Sequence, residues 1–135
     1  MQYLLILCLV LDLGSIKLEP NLERRSELAL DNANALLDAA RSAFTSGESE
    51  KMEAALNQVG ESVDLSFQSL DESGKNPRNN RFFKRAELRT RELMRRLEGL
   101  RDMVGLEDRA AVEKLRDRVA DIHDKLLKSI MGKKK

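Results

Sequence analysis

The chain has 135 residues, 35% of them charged and 4% aromatic, with no Trp, two Pro and a single Cys. One Cys excludes an intramolecular disulfide, so a hydrophobic core must hold the fold; the shortage of aromatics argues against a sheet and for packed helices. The net charge of +1 conceals a split, with 12 acidic and 4 basic residues from Glu19 to Glu72, and 10 acidic and 19 basic from Lys75 to Lys135. Either two halves of opposite sign dock on each other, or one of them meets a charged partner.

The first element is the apolar run Tyr3–Leu11. It falls well short of the ~20 residues of a spanning helix and has the length of a signal-peptide core. No Lys or Arg precedes it, and Gly14 and Ser15 are the only small residues after it. It therefore reads as a shortened signal peptide, with a short hydrophobic helix packed on the domain or an amphiphilic anchor as alternatives. Residues 1–18 are expected to form a separate N-terminal hydrophobic segment, and export to the periplasm or beyond follows from it, with no transmembrane span in the mature form. Cys8 lies in mid-run behind Leu7, where lipid acylation wants a small residue, and reads as a passive apolar Cys.

Four long helices follow in one domain, 19–131. The first starts near Pro20 and runs to about Thr45, with Ala29, Ala33, Leu36, Leu37, Ala40 and Phe44 on its apolar side. So many alanines make a thin face that a neighbour can approach closely. Thr45-Ser46-Gly47 breaks the pattern, and Ser46 or Ser49 is placed to cap the second helix. That helix carries Met52, Ala55, Leu56, Val59, Val63, Phe67 and Leu70, and Ser73-Gly74 stops it. Residues 74–80 form a linker with Gly, Pro and three Asn.

The third long helix, Phe82–Val104, is the element the others are arranged to cover. Phe83, Ala86, Thr90, Leu93, Leu97, Leu100 and Val104 alternate at threes and fours in one stripe, and the remaining surface is rich in arginine. Gly105 is expected to end it. The fourth helix opens on Glu107-Asp108, runs on Val112, Leu115, Val119, Ile122, Leu126 and Ile130, and gives way to a basic tail at 132–135.

Short connections imply antiparallel hairpins, 20–73 and 81–131, so the expected fold is all-α, two hairpins closing into a four-helix bundle. At an offset of 60, Leu37 meets Leu97, Val59 meets Val119, Arg41 meets Arg101 and Asp64 meets Asp124; either a duplication or the shared apolar register of equal hairpins gives such a match. Ala-x-x-x-Phe before the Gly47 turn resembles the inter-helix turn of tetratricopeptide repeats, but that family's Trp, Leu-Gly and Tyr positions are absent, so the resemblance is confined to the turn.

Catalytic groupings are scarce. The only histidine, His123, stands at the edge of the last stripe near Asp117, Asp121 and Asp124. A transition-metal site would want a second imidazole or a thiolate, so this reads as a boundary histidine paired with a nearby acid. There is no nucleophile turn and no Gly-rich phosphate loop. The expectation is a protein that is not an enzyme and has no cofactor or metal. What remains is the basic helix. Its arginines suit bidentate pairing with carboxylate or phosphate, and Arg81, Lys84, Arg85, Arg89, Arg91, Arg95 and Arg96 are the candidate residues for an anionic partner.

The apolar start, Leu18-Glu19-Pro20-Asn21, the Arg-rich helix behind Gly74-Lys75-Asn76-Pro77, and Ile130-Met131-Gly132 before a lysine tail are together similar to small exported bacterial helical proteins of uncharacterised function. That resemblance implies export and no activity. The functional expectation is an exported domain acting through contacts with a protein or an anionic surface. The alternative is a cytoplasmic protein that binds nucleic-acid phosphates with the same face, a partner that export would remove. Self-association through leftover apolar surface such as Leu65, Leu88 and Met94 is a third expectation.

Overall fold

The first hairpin shows how this sequence folds. In the computed structural model, which describes residues 13–132, α1 (Leu13–Lys17) precedes α2 (Leu22–Thr45) and α3 (Ser49–Glu72). Asn21, not Pro20, sets the start of α2: its side-chain oxygen accepts the Arg24 N–H at 3.0 Å, satisfying one of the free donors of the first turn. Gly47, with φ of 75°, makes the turn to α3. Neither serine caps that helix. The cap position is Glu48, without a side-chain bond, and the Ser49 hydroxyl reaches Asp108 at 3.4 Å instead. Tyr3–Leu11, with Cys8, and the Lys133–Lys135 tail lie outside the described residues, as do the expectations attached to them.

The alanine face of α2 meets a serine face of α3, and this is the most extensive helix pairing in the fold. Small side chains let the axes approach, and Ser26, Asn32, Ser62 and Ser66 bond one another across the seam, whereas the buried Ser69 Oγ has no partner among the described residues. Ser26 Oγ and Ser66 Oγ are 2.8 Å apart, and Asn32 Nδ2 donates to Ser62 Oγ at 3.2 Å. On the flank of this pair, Ile16 of α1 is buried against Ala29 and Leu65, with Leu13 and Leu28 beside it. Of the expected 1–18 segment, the described part, α1, thus packs on the bundle. Leu65, expected as free apolar surface, is covered by Ile16; Met94 is partly buried against the core, and Leu88 is exposed.

The second hairpin is α4 (Arg81–Met103) and α5 (Leu106–Met131). All seven stripe positions of α4 are buried. Thr90 fits among apolar neighbours because its hydroxyl donates to the Ala86 carbonyl of its own helix at 2.9 Å. Val104, extended, ends α4. Gly105, with φ of −75°, follows directly as the cap position of α5.

The described residues contain helices and no strand. Like helices lie side by side, α4 along α2 and α5 along α3, while α2 and α5 barely touch. Each of these cross-hairpin neighbours is parallel, the arrangement of two stacked helical hairpins. It leaves the molecule with two distinct ends. One holds both short turns. The other gathers the 74–80 linker, the starts of α2 and α4 and the end of α5, where a Cβ on Gly132 would collide with the Arg78 side chain. Among the described residues no helix is long and apolar enough to cross a membrane.

Candidate functional site

The basic helix is anchored at its start. Asn80 caps α4, its Oδ1 accepting the N–H groups of Phe82 and Phe83 at 2.7 and 3.2 Å, while its Nδ2 donates to Glu23 of α2 at 2.6 Å. One residue thus fixes both the entry of α4 and its register on α2. From there the helical period distributes the charged side chains over three faces.

The first face looks at α2. Arg85 pairs with Glu27, Arg89 with Asp31 at 2.7 Å, and Arg96 with Asp38. Each pair is 58 residues apart, so the two rows share a spacing of four and then seven. Only parallel helices in fixed register bring such rows together. Arg96 also donates to Asn34 Oδ1 at 3.1 Å. The second hairpin repeats the device between α5 and α3, where Arg118 meets Asp64 at 2.6 Å.

The second face looks at α5 and carries a group the sequence pattern did not single out. Glu87 is buried, its side chain 9% exposed. Its Oε2 accepts Arg91 Nη2 at 2.5 Å, Arg91 Nε at 3.1 Å and His123 Nε2 at 2.7 Å. Burial pushes this carboxyl up; the hydrogen bonds and charge of His123 and Arg91 outweigh that and hold it below its ordinary value of 4.5. His123 is indeed paired with an acid, but with one from another helix, while Asp117, Asp121 and Asp124 stay exposed. No group of three metal-ligating side chains occurs among the described residues.

The third face is solvent. Arg95 is tied to Glu92 one turn away at 2.7 Å, an exposed pair. Arg81 and Lys84 have no carboxylate partner among the described residues; Arg81 lies over the Phe82 ring, 5.1 Å from its centre. The seven candidate residues are therefore not one surface. Arg85, Arg89 and Arg96 bind α2, Arg91 braces Glu87, Arg95 answers a neighbour, and Arg81 and Lys84 stand free near the linker end. A cleft between α3 and α5, lined by Glu53, Asn57, Lys114 and Arg118 over Leu56 and Leu115, encloses about 200 Å³, less than the ~300–1,000 Å³ of most small-molecule sites.

No protein-family model matches this chain, and neither does any curated protein or any solved structure.

Proposed function

We infer that the protein is an exported, non-enzymatic helical domain that works by contact with an anionic partner, and that the contact is made by the cations of α4 left over from its internal pairing. The observation that carries this reading is the division of labour along α4. Three arginines are engaged by α2, whereas Arg81 and Lys84 are exposed and unmatched at its start. A cation already beside a carboxylate gains little from a second anion, because the carboxylate cancels most of its field. Free cations offer their full charge, so the contact belongs to the beginning of the helix.

Retention of the full chain on an immobilised polyanion such as heparin tests this. The protein is expected to be held at low salt and released as salt screens the contact. Arg81→Glu with Lys84→Glu should release it at markedly lower salt without changing its helical content. Arg85→Ala, Arg89→Ala and Arg96→Ala together should alter release much less. Passage without retention at low salt would overturn the reading, and equal effects from the two sets would remove its basis.

A further inference from the structure

The free cations of α4 belong to a larger feature at the linker end. Arg24 in the first turn of α2, Arg78 in the linker, Arg81 and Lys84 in α4, and Lys128 in the last turn of α5 are all exposed and without a carboxylate partner among the described residues. Four carboxylates share this end. Glu23 is taken up by Asn80 and Lys75, and Glu72 lies 4.0 Å from Arg25, which leaves Glu19 and Asp71. Beyond Gly132 the sequence adds Lys133, Lys134 and Lys135.

The same end exposes two large apolar side chains. Leu18, between α1 and α2, is 82% exposed, and Met131, in the final turn of α5, is 68% exposed. Their positions are fixed by the structure around them. The Arg25 guanidinium donates to the Glu19 carbonyl at 2.8 Å and holds the Leu18 turn near the end of α3, and Arg78 packs on Gly132 beside Met131. Ile16 fastens α1 to the α2–α3 flank beside Ala29 and Leu65, which fixes where the chain enters the Leu18 turn. Unmatched Lys and Arg around protruding apolar side chains are what a protein resting on an anionic bilayer presents: the cations meet headgroups while the apolar groups enter the boundary below them.

The turn end provides an internal control. Leu106 is as exposed as Leu18, at 81%, but its neighbours are Glu107 and Asp108, and across the end stand Glu48 and Glu50. Apolar exposure occurs at both ends; only one has the charge to approach an anionic membrane.

We propose that the linker end of this bundle is a membrane-docking surface, which seats on a bilayer containing anionic lipid through Arg24, Arg78, Arg81, Lys84 and Lys128 with Leu18 and Met131 inserted at the interface. This rests on the contact reading given above and names the anionic partner as a lipid surface. Each interfacial Lys or Arg strengthens binding severalfold, so removing three is worth roughly a hundredfold.

Sedimentation of the full chain with vesicles decides it. Vesicles of phosphatidylcholine with phosphatidylglycerol should carry the protein down far better than phosphatidylcholine alone. Arg78→Glu, Arg81→Glu and Lys84→Glu together should weaken partitioning by roughly a hundredfold or more, with an unchanged circular dichroism spectrum. Leu18→Ser with Met131→Ser should weaken it several-fold in salt that screens the charges, whereas Leu106→Ser should not. Equal binding to both kinds of vesicle, unaffected by the charge reversals, would overturn the proposal. Retention on heparin without binding to anionic vesicles would overturn the bilayer as partner while sparing the contact reading, and failure of both would remove the two together.

Discussion

On one flank α4 meets α2 through three ion pairs spread along its length; on the other it meets α5 through the half-exposed pair Arg101–Glu113 and through one buried carboxylate, Glu87 on His123. The row is the more conspicuous feature, and the buried carboxylate is the more consequential one. Arg85 is about half exposed, and Asp31 and Asp38 are more so, so water competes for every charge in the row. Such pairs are worth ~0–1 kcal/mol each. Glu87 is shielded on all sides except through its partners, and a buried acceptor left without a donor costs ~1–3 kcal/mol. Counting ion pairs would rank these flanks in the wrong order. Burial ranks them correctly.

The largest expected effect therefore comes from His123→Leu, which leaves Glu87 to Arg91 alone. We expect it to lower unfolding free energy by ~1–3 kcal/mol, measured by urea denaturation. Replacing both partners, Glu87→Leu with His123→Leu, removes the charge that needed a donor and should recover most of the loss. If the double variant is instead as unstable as the single one, the pair supports the fold by its shape and not through its bonds.

Acid sharpens the same comparison. Because the folded protein holds Glu87 below its ordinary 4.5, folding favours the ionised form. The stability this supplies is present in full above pH 4.5 and is lost as pH falls through the lowered value of the folded state. The stability difference between the wild type and Glu87→Gln should thus shrink in the acid range below 4.5. A difference that stays the same from neutral pH into strong acid would show that Glu87 is not ionised in the fold.

Much of this arrangement is written in the sequence, and the rest is hidden for identifiable reasons. The α4 stripe is legible because seven positions obey one period, and all seven are buried. Glu87 obeys it too, four residues after Phe83 and three before Thr90, but a charged residue is read as surface by default. Ser26, Ser62 and Ser66 were hidden similarly, since short polar side chains do not register as core until a neighbour of the same size faces them. The α1 contact fails differently: Leu13 and Ile16 share a helical face, yet they follow a long apolar run that masks their period. Of the seven candidate cations the sequence indicates the chemistry but not the division, because which arginine faces α2 depends on how one hairpin sits on the other.

The matched spacing of Arg85, Arg89 and Arg96 with Glu27, Asp31 and Asp38 then acts on register more than on stability. Sliding α4 by one turn along α2 keeps two helices in apolar contact, because both stripes repeat; it leaves only part of the charge row paired. Alanine at Arg85, Arg89 or Arg96 alone should cost less than ~1 kcal/mol and progressively less as salt is raised. Within the row Arg96 should matter most, being 22% exposed and bonded to both Asn34 and Asp38. Arg96→Lys should then lose about as much as Arg96→Ala, since an ammonium does not span the two acceptors as a guanidinium fork does. If Arg85→Ala at the exposed end of the row costs as much as Arg96→Ala, the row is acting through charge alone, and the fork on Asn34 and Asp38 adds nothing to it.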